Sequence, residues 1–154
     1  MVRALPAERF QKELRLFGAA CVRRIWHLLP ASCRLAVEAS EQFAHGQIAV
    51  VVLTYILGVA DREAVAQFPG HSAPNAAEYA ASAAIDASSF WPRTASNVLA
   101  AASCAALAAA CAAGEADETR YDEAFEKARA AESAGQADLL RGLVSVPPNQ
   151  EREE

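Results

Sequence analysis

From Ala7 to Leu29 the apolar residues Phe10, Leu14, Phe17, Cys21, Ile25 and Leu28 recur at steps of four and three, the spacing of a helix face turned to a core. Leu16, Ala20 and Trp26 widen that face. Pro6 suits a first-turn position and Pro30 stops the helix, while Glu8 to Lys12 and Arg9 to Glu13 are i,i+4 pairs on the wet side. The next segment predicts a helix from near Ser32 to Gly46, where glycine can adopt the left-handed closing conformation. Its apolar line holds Ala36 and Phe43, with Glu38, Glu41 and His45 outward.

Residues 48–59 are apolar almost throughout, and their β-branched members suit a strand as well as a helix. A lone strand has no ladder partner, and nothing else in the chain alternates with period two, so the segment reads as a buried helix continuing through Asp61 to Phe68. Pro69 and Gly70 make a turn, and Ser72 followed by Pro74 predicts a capped helix from about Pro74 to Phe90. Trp91 and Pro92 interrupt the pattern. Thr94 then caps an Ala-rich helix closing at Gly114, and a charged helix follows from about Asp117 to Leu143, supported by Glu123 and Lys127 at i,i+4. No repeat of about 20–50 residues is present. These elements predict an all-α fold: a compact bundle of five or six helices with Ala-rich central members. They form one domain over residues 1–146, with 147–154 a polar, disordered tail.

Composition agrees with this pattern, since about a quarter of the 154 residues are alanine and only 7% are aromatic. Alanine favours helix but buries little area, so the core is thin. The net charge of −5 conceals a division: residues 1–34 carry +5 and the remainder −10. A basic helix packed beside an acidic one in the same bundle accounts for such a split, as does docking to a charged surface. The run Ile48 to Ala60 falls short of the ~18–20 residues that cross a bilayer, and no export signal is visible at the start. The expected location is the cytoplasm, with four reduced cysteines and no membrane association.

The segment Leu14-Arg-Leu-Phe-Gly-Ala-Ala-Cys-Val-Arg-Arg-Ile-Trp-His-Leu-Leu29 resembles the LRLFxxACxRRIWHLL-type helix of a family of uncharacterised, Ala-rich, all-helical bacterial proteins. The stretches Ala36 to Gly46 and Gln136 to Arg141 are similar too. The resemblance implies a helical fold and no particular activity. Ala19 and Val22 stand where that pattern has cysteine, which speaks against a thiol or metal role for the segment.

Chemistry is sparse. The four cysteines and three histidines lack metal-ligand spacing, so neither a metal nor any other cofactor is expected. Cys104 and Cys111 lie seven residues apart on one helix, about 10.5 Å along its axis. That exceeds the ~7 Å a disulfide spans. Cys21 and His27 are the one local nucleophile and base pair, and six residues apart they point to different sides of a helix. Glu78, Ser82, Asp86 and Ser89 form one solvated stripe. No phosphate-binding loop, dinucleotide fingerprint or nucleophile elbow occurs.

The first helix carries the strongest candidate binding residues: Lys12, Arg15, Arg23 and Arg24, with Trp26 placed to stack on Arg23, and His27 at its end. Opposite charges for it stand around Asp122, Glu126 and Glu132 of the last helix. Such a surface offers few phosphate contacts beside an acidic remainder, so nucleic acid is not the expected partner. The chain reads as a non-enzymatic helical protein-protein interaction module, by a protein partner or self-association. The alternatives are nucleic-acid binding through the basic helix and an enzyme using Cys21 and His27; the residues name no small-molecule ligand.

Overall fold

The computed structural model describes residues 7–67, 75–88, 94–116 and 118–144. Among them the chain is all α-helical, with α1 at Ala7–Arg23, α2 at Ala31–Ala44, α3 at Val50–Gln67, α4 at Ala76–Ser88, α5 at Thr94–Ala116 and α6 at Tyr121–Val144. Short 3-10 turns cover Trp26–Leu28 and Glu118–Arg120, and no strand is present among the described residues. Residues 48–59 are therefore helical from Val50 onward. The features expected at Pro6, Pro69, Gly70, Ser72, Pro74, Ser89, Phe90, Trp91, Pro92 and the tail 147–154 lie outside the described residues, as do the side-chain pairs of Glu8 and Arg9 and the cap expected from the Thr94 side chain.

α5 is the hub, packed against α1, α4 and α6. Its buried positions include Ala101, Ala105 and Ala108, facing the alanine surface of α4 formed by Ala80, Ala84 and Ala87. Side chains this small let helix axes come toward the short end of the usual ~8–10 Å separation. α1 uses the same device. A Cβ on Gly18 would stand 3.4 Å from Val98 and 3.5 Å from Ala87, ordinary contact distances, so α1 lies close to α4 and α5 at this position. The larger apolar side chains Val22, Ile25, Leu29 and Val37 fill the seam between α1 and α2, and Phe17 and Cys21 meet Val98 in a second cluster.

The helix ends show local causes. α1 was expected to run to Leu29 but stops at Arg23, where the Arg24 and Ile25 amides donate to carbonyls three residues back, at 3.3 and 3.1 Å. This tightening is followed by Leu29 in an extended conformation (φ −78, ψ 135), as a residue preceding proline requires. α2 begins one residue before Ser32, which is buried and makes no capping bond. At its other end Gly46 takes φ +71, the Gln47 amide donates to Gln42 at 2.8 Å and the Gly46 amide to Phe43 at 2.9 Å. That is a Schellman closure, as the glycine predicts. α4 is capped by Asn75, whose Oδ1 accepts from the Glu78 amide at 2.9 Å.

Gly114 does not close α5, which continues to Ala116. Instead the Tyr121 ring lies on it, 2.5 Å from where a Cβ would stand, and stacks on Phe125 at 5.9 Å to shape the corner into α6. A second correction concerns α3. Expected to be buried, it packs chiefly on α2 with a smaller contact on α4, and only Leu53, Ala60 and Ala64 are buried.

The stripe on α4 is less solvated than its spacing suggests. Ser82 is exposed, but Asp86 is half-buried and desolvation raises its carboxyl above the usual range. Its charge also adds to the burial that pushes the Cys104 thiol up. A carboxyl raised by folding favours the protonated fold. Its contribution is complete below the ordinary value of 3.8 and lost as pH rises through the shifted one. Asp86→Asn is therefore expected to equal the parent chain at about pH 3 and to exceed it at about pH 7 by less than about 1 kcal/mol, a half-buried group being partly screened. Urea midpoints at the two pH values measure the difference; equal offsets at both would contradict it.

Candidate docking surface

Of the described basic residues on and just after α1 only Arg15 is drawn into the fold; Arg23 and Arg24 stay exposed but are ion-paired to neighbouring helices. Arg15 is only 6% exposed, a correction to its place on a surface patch. Its spacing puts it beside Lys12, but the helix turns it toward α2 and α4. There Nη1 donates to the Ser40 hydroxyl at 3.3 Å and to the Ser88 carbonyl at 3.1 Å, with the guanidinium 5.3 Å from the Phe43 ring centre. Lys12 remains exposed.

Arg23 forms a fork on Glu41 of α2, with bonds of 2.9 and 2.6 Å, and lies 4.3 Å from the Trp26 ring centre. The stacking expected at i+3 is thus present, and Arg34 approaches the same ring at 5.8 Å. Arg24 reaches α6, where its Nε donates to both Glu132 oxygens at 2.7 and 2.9 Å. Glu132 Oε1 also accepts from Gln136 at 3.2 Å, and Gln136 donates to the Ala102 carbonyl of α5 at 2.9 Å. The guanidinium lies over Gly135, where it leaves no room for a Cβ. The internal pairing of basic with acidic helices is therefore real for Arg24 and Glu132. Arg23 pairs with α2 instead, Glu126 pairs with Arg129 on its own helix at 3.7 Å, and Asp122 is exposed.

Cys21 and His27 do not form a working pair. His27 is exposed on the 3-10 turn, whereas Cys21 is fully buried and burial pushes its thiol up to about 12. A thiol so disposed carries almost no thiolate near neutrality. Cys33 and Cys111 are buried and Cys104 half-buried, and all four cysteines are free. Among the described residues no three His, Cys, Asp or Glu side chains gather to hold a metal ion.

Open grooves occur among the described residues. One, about 390 Å³, lies between α1 and α2 and is bordered by Arg23, Glu38, Glu41 and His45. Another, about 360 Å³, runs between α5 and α6 past Leu107, Arg129, Ser133 and Leu140. In the first, Arg23 and Glu41 are paired with each other, and the lining of neither contains a nucleophile beside a base.

The feature that sequence reading missed is the outward side of α3. Val51 is 70% exposed, Tyr55 71% and Val65 66%, with Val50 and Val52 also exposed. Positions 51, 55, 58, 62 and 65 follow steps of four and three, so Val51, Tyr55, Gly58, Arg62 and Val65 share one side, flanked by Val52, Val59 and Ala66. The seam runs about 21 Å along the helix. Its signal in the sequence was the lack of a polar face over residues 48–59, which burial on all sides explained equally well. No helix among the described residues is long and apolar enough to cross a membrane. No family model, curated protein or solved structure matches the chain.

Arg15→Ala is expected to destabilise the chain by about 2–4 kcal/mol, because a buried charged donor to two helices is lost. Arg15→Lys should restore only part, since an ammonium lacks the planar fork. Lys12→Ala should stay within about 0.5 kcal/mol, and similar urea midpoints for all three variants would contradict the assignment. Native-state alkylation read by mass spectrometry should modify Cys104 first and fully buried Cys21 and Cys33 last.

Proposed function

We propose that the protein is a non-enzymatic helical protein-protein interaction module that docks through the outward face of α3. The observation that carries this reading is the run of large apolar side chains at Val51, Tyr55 and Val65, each about two-thirds exposed or more on one helix. Exposed apolar patches mark recognition surfaces, and tyrosine and arginine, both present on this face at Tyr55 and Arg62, are enriched among the residues that anchor them.

Competing partners are less well served. A duplex requires free cations on one face, and Arg15, Arg23 and Arg24 are engaged internally. Acidic lipid attracts helices fringed with Lys and Arg, but α3 carries Arg62 against Asp61 and Glu63 in a chain of net charge −5. Catalysis by Cys21 is disfavoured by its burial. Four free thiols, three of them buried, accord with a reducing cytoplasm.

A photoreactive phenylalanine analogue placed at Tyr55, with Arg129 on exposed α6 as control, tests the reading inside cells. Irradiation should give a discrete adduct from position 55 and none from 129. Val51→Glu in the same chain should lower the adduct yield at least about tenfold, the loss of an anchor worth over ~1.4 kcal/mol. No adduct from position 55, or equal adducts from both, would overturn the proposal.

A further inference from the structure

Resting on that reading, we infer that the occupant of the α3 face is a second copy of this chain, the two α3 helices running antiparallel about a two-fold axis between Gly58 and Val59. Two independent observations lead there. The first is Gly58. A glycine inside a helix is destabilising relative to alanine, yet a Cβ at Gly58 would meet nothing within 4 Å. Its small size is unused within one chain and becomes useful where another backbone approaches closely.

The second is the self-complementarity of the seam. A two-fold axis between residues 58 and 59 sets Gly58 against the partner's Val59, Val51 against the partner's Ala66, and Val52 against the partner's Val65. Small meets large, and apolar meets apolar. The same axis sets Tyr55 against the partner's Arg62 twice, so each guanidinium faces an aromatic ring that is 71% exposed in the single chain. A parallel pairing would instead place Arg62 against its own copy, with like charges opposed. Isologous contacts of this kind close at two subunits. One helix face per copy falls at or below the small end of the ~1,200–2,000 Å² of stable interfaces, so the expected dissociation constant is micromolar, on the order of 1–100 μM.

Sedimentation equilibrium of the full chain across that range provides the test. The parent chain should pass from monomer to dimer. Tyr55→Arg, opposing Arg62, should raise the dissociation constant at least about tenfold. Combining Tyr55→Arg with Arg62→Glu should return it to within about threefold of the parent, because the new Arg and Glu face each other only in the antiparallel register. Both positions are exposed, and circular dichroism verifies that the helices are retained.

A chain that stays monomeric throughout, a dimer indifferent to Tyr55→Arg, or a double variant no better than the single would each overturn the inference. The photo-adduct at position 55 separates this failure from that of the docking reading. An adduct with a different protein on a monomeric chain removes self-pairing alone, whereas absence of any adduct removes both. Tyr55-dependent sedimentation with phosphatidylglycerol vesicles, without dimerisation, would likewise overturn self-pairing in favour of a lipid surface.

Discussion

Close contact between alanine surfaces is the constraint on which the rest of this fold depends. α5 presents Ala101, Ala105 and Ala108 to helices that must come near to touch them, and α4 answers with Ala80, Ala84 and Ala87. Each such contact buries little area, so the bundle needs many of them and places the helix with the largest number of alanines at the centre. Smooth helices also slide and rotate at little cost, since few knobs enter few holes. Position must then be specified by something other than shape. The bulky residues Ile25, Val22 and Val37 do part of this between α1 and α2.

Polar clamps do the rest, and they explain the concentration of arginine in α1. Arg15 ties α1 to Ser40 of α2 and to the end of α4, Arg23 ties it to α2, and Arg24 ties it to α6 through Glu132. Three successive basic positions at and just past α1 thus reach three helices between them: Arg15 and Arg23 share α2, Arg15 also meets the end of α4, and Arg24 turns the other way to α6. Glu132 extends the last clamp to α5 by way of Gln136 and the Ala102 carbonyl, and Gly135 leaves the gap in which the guanidinium lies. The +5 and −10 division of the chain is in part the sequence trace of this bracing.

Helical periodicity and closing residues were legible because they are local. The four-and-three spacing of α1, the left-handed Gly46 and the change of direction before Pro30 depend on neighbours a few residues away. The burial of Arg15 was not legible, since Lys12 and Arg15 share similar helical angles and only the approach of α2 and α4 distinguishes them. The role of Gly114 was hidden for the same reason: the ring that occupies its space belongs to the next helix. The outward face of α3 was readable as chemistry but not as position. A helix apolar on every side fits the centre of a bundle or an interface between molecules, and composition cannot choose between them.

What decides it is competition for the centre. α5 already contacts α1, α4 and α6, and its alanine surface accepts neighbours that come close. α1 meets it through Gly18, and α4 through alanines. α3 has β-branched bulk at Val50, Val51, Val52 and Val59 and cannot approach as nearly, so it lies against α2 with Leu53, Ala60 and Ala64 inward. The apolar residues left outward are therefore a consequence of how the hub was filled. Water contact with a tyrosine and several valines contributes nothing to the stability of the single chain. The bracing that holds α1 and the exposure of α3 are thus two results of one thin core: polar groups are drawn inward to fix the helices, and apolar bulk is displaced outward to where another surface can cover it.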